Sequence, residues 1–285
     1  MLYKLGCRLT YQTQAETPFV FNLDAARFAG QAVEEESLRI LPEVRQDRWT
    51  MPESGNKYFR VVAPAGPLLV EYEARVRATP ILEDPASVSE VPSGQLPLEV
   101  FNHLWPSRYC QSDRLERFAR STFGALSPGY ARVNGVCNWI NTYVTYEGGV
   151  SDAMTSAFDT VTLRAGVCRD FAHLGIALCR AMGIPARYVS AYAYRLHPPD
   201  FHAVFEAYLR GPDDGGWYLF DATRMVDPAG IVRIGVGRDA AEVAFCSPFG
   251  PTGFGKPEVW IEAEGDAPPP GTQAVRVNEG GSEGA

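Results

Sequence analysis

The sequence lacks the features that mark membrane proteins and nucleic-acid-binding proteins. No stretch approaches the roughly 18 uninterrupted apolar residues that a membrane helix needs. The 26 Lys and Arg residues are outnumbered by 34 Asp and Glu residues, which gives a formal net charge of −8. A nucleic-acid surface needs clustered basic residues instead. We therefore expect neither a membrane nor a nucleic acid as a partner.

Paired cysteines and an export signal are also missing. No CxxC pair occurs, and "MLYKLGCRLTYQ" has no cationic segment followed by an apolar run, as a secretory signal would. The six cysteines are scattered along the chain: Cys7, Cys110, Cys137, Cys168, Cys179 and Cys246. This pattern favours reduced thiols, so we predict a cytoplasmic protein.

A metal site is disfavoured by the spacing of its possible ligands. His173 follows Cys168 by five positions, which places it about 140° further around a helix. No second close pair of Cys or His accompanies these two residues, as a zinc site would require. We expect no metal ion and no organic cofactor.

The first ninety or so residues show the period-two alternation of β-strands. In "YKLGCRLTY" and "LLVEYEARVRAT", apolar residues alternate with polar ones, and turn-rich stretches such as "MPESGN" and "APAGP" separate the runs. We predict an antiparallel β-sandwich or open barrel over residues 1–92. It carries no catalytic cluster, so we interpret it as a structural or substrate-positioning module.

The stretch "EDPASVSEVPSGQLPLEVF" has a linker's composition, so we place the domain boundary near Pro92, and after it the pattern becomes helical. "SDRLERFARSTFG" and "YARVNGVCNWINTYVTY" carry apolar stripes at helical spacing and predict core helices. We assign residues 93–264 to an α+β catalytic domain. The segment 265–285 is rich in Gly, Pro and Glu, which predicts a disordered tail.

Cys168 falls where a turn becomes a helix running to about Met182. Gly166 is the predicted turn, and Gly183 with Pro185 ends the helix. A helix N-terminus has free backbone N–H groups and a partial positive charge, and both favour the reactive thiolate. A lone helical cysteine is nevertheless more often a buried packing residue.

A histidine and an aspartate downstream can complete a catalytic set with Cys168. Of the chain's four histidines, only His202 opens a strand-like run, "HAVFEAYL", that is followed by a run ending in an acidic residue, Asp221 in "WYLFD". The loop "RGPDDGG" between the runs predicts neighbouring antiparallel strands, which can place the two side chains together. Such an order is typical of a nucleophile, its base and an orienting acid. Asp200 in "HPPDFH" could also lie near the site, although a stiff turn before His202 explains it equally well.

These segments resemble a known family. "GVCRDFAHLGIALCRAMGIPARYV", "DFHAVFEAYL" and "WYLFDATR" are similar to the three motif blocks of the transglutaminase-like superfamily, and in particular to its prokaryotic branch, whose members are often described as cysteine proteases. Residues 1–92 resemble the N-terminal module that accompanies this domain in bacteria. The resemblance implies a papain-like α+β fold in which Cys168 is the nucleophile, His202 the general base and acid, and Asp221 the orienting group.

The chain departs from the animal transglutaminases in two ways. Arg169 follows the nucleophile where those enzymes typically have Trp, and no acidic cluster resembles their calcium loops. The family's second oxyanion donor is usually a side chain upstream of the cysteine. Tyr146 and Trp139 are candidates, although core packing is the simpler interpretation of both. Arg169 or Asp170 could orient substrate, but an Asp in the first turn also simply complements the helix dipole.

Together these observations predict a thiol-dependent amide hydrolase or peptidase that acts on a peptide or protein amide through a thioester. Acyl transfer to an amine, as in a protein-glutamine transglutaminase, shares the first half of that reaction. A non-catalytic scaffold with the same fold is the third possibility. The three competent residues at the triad positions weigh against it. Nothing in the sequence specifies an oligomeric state.

Overall fold

The computed structural model describes residues 1–265 and 271–279, and it consists of a β-sandwich packed against a helix-covered sheet. Strands dominate the first third of the chain. They are β1 (Leu2–Thr13), β2 (Thr17–Phe21), β3 (Gln31–Leu41), β4 (Gln46–Thr50), β5 (Lys57–Ala63), β6 (Gly66–Ala78) and β7 (Ile81–Glu83).

The rest of the chain supplies the helices and the remaining strands. They are α1 (Ser112–Phe123), α2 (Tyr130–Tyr143), β8 (Thr145–Tyr146), α3 (Ala157–Leu163), β9 (Ala165–Gly166), α4 (Cys168–Ala181), β10 (Ala186–Ala193), β11 (Phe201–Arg210), β12 (Gly215–Phe220), β13 (Ile231–Gly237), β14 (Cys246–Pro248), β15 (Thr252–Phe254), β16 (Glu258–Glu264) and β17 (Ala274–Arg276). None of the helices within residues 1–265 and 271–279 has both the length and the apolar character to cross a membrane.

The N-terminal region forms the predicted sandwich of two antiparallel sheets. One sheet has the order β15–β1–β6–β3, with β16 also paired to β1, and the other has the order β14–β2–β5–β4. Tyr3, Leu5, Cys7, Leu9 and Tyr11 of β1 are all buried, as their alternation indicates. The fold-class prediction for this region is confirmed.

The second region is the predicted α+β unit. Its sheet has the order β13–β10–β11–β12–β17–β7, and every neighbouring pair is antiparallel. The helices pack on one face of β10–β12 and share one apolar core with it. Because β11 and β12 are adjacent and antiparallel, the start of β11 and the end of β12 lie close together, and residues at these two ends can meet.

Helix α4 lies deepest in this core. Every residue from Asp170 to Ala181 is buried. The helix approaches β11 so closely that a Cβ added to Gly175 would lie 2.6 Å from the ring of Phe205. Glycine at position 175 therefore sets the distance between the helix that begins at Cys168 and the strand that carries His202.

Strand pairing crosses the division expected at Pro92. Strands β14, β15 and β16 return from the second region to pair with β2 and β1 of the sandwich. In the other direction, β7 leaves the first region and pairs with β17 at the edge of the second sheet. The ranges 1–92 and 93–264 are therefore not two separately closed units, since each sheet takes strands from both.

The structure also corrects the expected disordered tail. Residues 274–276 form β17, which pairs with β7 and with Tyr218 of β12, and Ala274, Val275 and Val277 are buried. Glu279 accepts hydrogen bonds from Arg187 and Arg233. The remainder of the predicted tail, 266–270 and 280–285, lies outside the described residues. Composition failed here because three apolar residues suffice to complete a sheet edge that already exists.

We expect Gly175→Ala to destabilise the protein by about 1–3 kcal/mol, because the new methyl group overlaps the ring of Phe205 in a packed core. Gly135→Ala in α2 is the matched control, since its methyl group would meet only the flexible end of Leu126. That substitution should be neutral or stabilising, because alanine favours a helix more than glycine does. Chemical denaturation measures both. Equal effects of the two substitutions would show that the α4–β11 contact is not tight.

Candidate active site

The chain enters α4 through a tight, buried turn. Asp170 is fully buried, and its carboxylate accepts a hydrogen bond from the Val167 N–H at 2.9 Å. A Cβ on Gly166 would lie only 2.7 Å from the Cβ of Asp170, so this turn needs glycine. Cys168 is thereby fixed, half-buried, in the first turn of α4, where backbone N–H groups have no partner within the helix.

Strands β11 and β12 bring His202 and Asp221 together. Their register pairs Phe205 with Phe220, so His202, near the start of β11, lies beside the residue that follows β12. The Nε2 atom of His202 lies 3.2 Å from Oδ2 of Asp221. This is an ion-pair distance, although the alignment is not that of a straight hydrogen bond. Since Nε2 faces Asp221, Nδ1 is left for the other side of the ring.

Cys168 interacts with the same imidazole. Burial lowers the pKa of His202, but its interactions with Asp221 and with Cys168 outweigh burial and raise it to about 10. Burial raises the pKa of Asp221, whereas the contacts with His202 and Thr223 bring it below its ordinary value. The favoured state is a carboxylate and an imidazolium next to the sulfur, and a neighbouring imidazolium stabilises a thiolate.

Asp221 is held by a polar turn that sequence reasoning missed. Its Oδ1 accepts hydrogen bonds from the N–H and hydroxyl of Thr223, at 2.8 and 2.7 Å. Its Oδ2 accepts from the N–H groups of Met225 and Val226, each at 3.1 Å. Asn141 of α2 donates to the Thr223 carbonyl at 2.8 Å and so ties this turn to the helical layer. The Asp-x-Thr spacing, which is typical of side-chain-stabilised turns, is the signal that could have revealed it.

Tyr146 lies beside the nucleophile. Its strand β8 runs parallel to β9, with Tyr146 opposite Gly166, two residues before Cys168. Burial of the hydroxyl raises the pKa of Tyr146, the charge of Cys168 adds to the rise, and a hydrogen bond with the Cys168 backbone opposes it. The side chain is 46% exposed, so the expectation that it packs in the core is wrong. The short β8–β9 pair, which no local pattern in the sequence indicates, places Tyr146 beside the start of α4.

The other candidate residues have different surroundings. Trp139 packs edge-on against Phe118, with ring centroids 5.2 Å apart, and so has the packing role expected of it. Arg169 donates to Asp170 and to the carbonyl of Asp152, so it joins the start of α4 to the loop over 147–156. Asp170 is committed to Arg169 and to the helix cap. Arg169 and Asp170 could therefore affect a substrate only indirectly, by positioning the start of α4 and the loop over 147–156.

His173 is a packing residue. Its ring stacks on Tyr109 at 5.0 Å and also contacts Tyr188, while its Nε2 accepts a hydrogen bond from the Ala240 N–H. Burial lowers the pKa of His173 to about 3, which keeps it neutral. Among residues 1–265 and 271–279, no three His, Cys, Asp or Glu side chains are grouped as metal ligands would be.

We expect the NMR signals of the His202 imidazole to remain those of the charged form at neutral pH and to titrate near pH 10. Asp221→Asn removes the carboxylate charge and should lower the pKa of His202 markedly. His103 and His173 are internal controls, because burial lowers the pKa of each to about 3 and neither should respond. Titration of wild-type His202 at or below its ordinary value of 6.5 would contradict the proposed charge state.

The same shifts fix the pH range in which the pair stabilises the fold. The pKa of His202 is raised, so its contribution is complete below pH 6.5 and is lost as the pH rises through about 10. The pKa of Asp221 is lowered, so its contribution is present above pH 3.8 and is lost as the pH falls through the lower folded-state value. The difference in melting temperature between wild type and Asp221→Asn should be largest between these limits.

Comparisons with known proteins identify the family and agree with the fold. Residues 116–222 match the family model of the transglutaminase-like superfamily, and residues 1–99 match that of the bacterial transglutaminase N-terminal domain. A crystal structure of a protein from Cytophaga hutchinsonii, described as a "putative cysteine protease", is 39% identical to this chain. It superposes with a TM-score of 0.91, over 97% of this chain and 97% of that one.

Curated relatives match a smaller part of the chain. An uncharacterized protein of Mycobacterium leprae is 35% identical over 124 residues, which are 39% of this chain and 42% of that protein. One of Mycobacterium tuberculosis is 32% identical over 144 residues, or 46% of each. The alignments thus span less than half the length of these relatives. With the two family models and the full-length structural match, the chain belongs to the transglutaminase-like superfamily.

Proposed function

We propose that this protein is a thiol-dependent amide hydrolase, most simply a peptidase, with Cys168 as nucleophile, His202 as general acid and base, and Asp221 as the orienting group. One observation carries the proposal. The imidazole of His202 lies 3.2 Å from the buried carboxylate of Asp221 and interacts with the thiol at the start of α4, with its pKa raised to about 10. Such an arrangement prepares both a thiolate and an acid for the leaving group.

The first half of the reaction forms a thioester. The Cys168 sulfur attacks the amide carbon, and the carbonyl π electrons move to the oxygen. We assign the backbone N–H groups at the start of α4 and the hydroxyl of Tyr146, which interacts with Cys168, as the hydrogen-bond donors to that oxyanion. As the C–N bond breaks, the His202 imidazolium gives its proton to the departing nitrogen, which leaves as a neutral amine.

The second half restores the enzyme. His202, now neutral, removes a proton from water as the water oxygen attacks the thioester carbon. The C–S bond then breaks, the acid product leaves, and the thiolate–imidazolium pair is restored. Asp221 remains ionised throughout, because its four hydrogen bonds and His202 hold its charge. Its role is to orient the ring and to stabilise its positive charge.

Two features favour water over an amine as the second nucleophile. Arg169 takes the place after the nucleophile where the animal cross-linking enzymes typically have Trp, and its side chain is directed to Asp170 and Asp152. The structural relative that matches over 97% of this chain is described as a "putative cysteine protease". Acyl transfer to an amine is the second candidate, because the N-terminal region matches the bacterial transglutaminase N-terminal domain and both reactions share the thioester.

We expect Cys168→Ala to abolish turnover and His202→Ala to reduce it by several orders of magnitude, with Asp221→Ala the mildest of the three. Cys246→Ala is the matched control, because Cys246 is the other half-buried cysteine and lies on β14 in the sandwich. The readout is labelling by a small thiol-reactive probe, together with cleavage of a peptide library followed by mass spectrometry. A Cys168→Ala protein that keeps wild-type cleavage would refute the assignment, and the absence of any selectively reactive cysteine would favour the scaffold.

The fate of the thioester is tested by a partition ratio. Enzyme is incubated with a labelled amide donor and a millimolar primary amine, and the free acid is compared with the amine adduct. We expect the free acid to dominate, because the position directly after the nucleophile is Arg169, directed to Asp170 and Asp152, and not an aromatic ring that would exclude water. Cys168→Ala gives the background of both products. Predominant adduct would replace the hydrolase by a transglutaminase.

A further inference from the structure

A cavity of about 260 Å³ lies between the sandwich and the active-site edge of the second sheet. One wall is the loop over 195–200, which connects β10 to β11, and the other is β16, which is paired to β1. We call it the β16 cavity. Six of its lining residues matter here: Leu196, His197, Asp200, Trp260, Ile261 and Glu262.

Asp200 links the β16 cavity to the catalytic residues. It comes two positions before His202, and its Oδ1 accepts a hydrogen bond from the Phe201 N–H at 2.8 Å. Burial raises the pKa of Asp200, whereas the Phe201 N–H, Lys256 and His202 act in the opposite direction. The charge of Asp200 also acts on Tyr146. The carboxylate therefore interacts electrostatically with both His202 and Tyr146, and it lines the cavity at a position that is exposed to solvent.

The position of the loop identifies which part of a substrate would reach the cavity. In the proposed reaction, His202 protonates the leaving amine, so the leaving-group half of the amide must lie on the His202 side. The loop over 195–200 leads directly into β11 and His202. The β16 cavity consequently faces the leaving-group half, and the second nucleophile must arrive by the same side.

The walls combine apolar surface with an unneutralised carboxylate. Leu196 is buried, while Trp260 and Ile261 are half-buried. Within residues 1–265 and 271–279, neither Asp200 nor Glu262 has an ion-pair partner within 4 Å. Long side chains with a terminal cation bury their stems on apolar surface and place the charge at a polar rim, and an indole ring also attracts a cation.

Several cations lie near this rim, and one of them, Arg195, lines the cavity itself. Arg195 stacks over the ring of Tyr194, 5.1 Å from its centroid, and Lys256 is exposed. Lys4 lies opposite Glu262 in the β1–β16 pairing, and His197 is exposed on the loop. Lys256 acts on Asp200 only through its charge, without an ion pair. A ligand cation that reaches Asp200 would contact the carboxylate directly.

We propose that the β16 cavity is a specificity pocket for a basic side chain, lysine or arginine, in the leaving-group half of the substrate. This inference rests on the proposed function, and it gives the sandwich a part in substrate selection. Strand β16 is paired with β1. The ring of Trp260 packs directly against Gly6 of β1, since a Cβ added to Gly6 would lie 2.5 Å from that ring. The sandwich thus fixes one wall of the pocket.

The test compares kcat/KM for peptides that differ only in the first leaving-group residue, chosen from a cleaved library sequence: lysine, its uncharged analogue norleucine, or glutamate. We expect lysine to exceed norleucine by about tenfold, as one charge-assisted contact would give, and glutamate to be the poorest. Asp200→Asn keeps an acceptor for the Phe201 N–H but should bring the lysine-to-norleucine ratio close to one, mainly through KM.

Glu258→Gln is the matched control on the same strand, because Glu258 pairs with Arg8 and does not line the cavity. It should leave the ratio unchanged. A wild-type ratio near one, or a ratio unaffected by Asp200→Asn, would overturn the pocket while leaving Cys168-dependent cleavage intact.

A binding measurement keeps the two proposals separate if no peptide is cleaved. In Cys168→Ala, lysine amide should shift the NMR signal of the Trp260 indole N–H more than norleucine amide does, with Trp260→Leu identifying the signal. That result would retain the pocket even where the proposed reaction fails. Equal shifts, or none, would overturn it.

Discussion

The close contact between α4 and β11 determines the geometry of the whole site. Cys168 belongs to the helix and His202 to the strand, so the two can meet only if helix and sheet pack at a fixed distance. Gly175 allows that distance, because any larger residue would overlap the ring of Phe205. The helix is buried along nearly its full length, and a packed interior transmits small shifts instead of absorbing them. Displacement of α4 would therefore separate the thiol from the imidazole.

The buried charges of Asp221 and His202 are paired with each other. An isolated buried carboxylate or imidazolium would be costly. Asp221 accepts four hydrogen bonds from the turn that follows it and also faces His202. The same rule holds across the sheet, where the fully buried Glu206 accepts from Arg187 and Arg233 at 2.6 and 2.7 Å. Glu279 supplies the second negative charge that those two arginines require.

The two sheets depend on each other because each contains strands from both parts of the chain. Strands β14–β16 return to the sandwich, and β7 joins the second sheet. The interface between the two sheets is therefore continuous with both cores. Tyr192 of β10 illustrates this, since its hydroxyl donates to the Leu23 carbonyl at 3.1 Å and its ring stacks near Tyr72. The β16 cavity is accordingly lined by both halves of the chain, which is how, in our proposal, a β-module without catalytic residues takes part in substrate choice.

The sequence by itself determined the local features. Alternation placed Tyr3 to Tyr11 in a half-buried strand, helical spacing placed Cys168 at the start of a helix, and two strand-like runs placed His202 beside Asp221. Each of these depends on neighbours within a few residues or on one short loop. Only the tertiary structure decided the position of Tyr146, the return of β16 and the ordering of β17. These depend on partners distant in sequence, whose free backbone edges and apolar surfaces exist only once the sheets have formed.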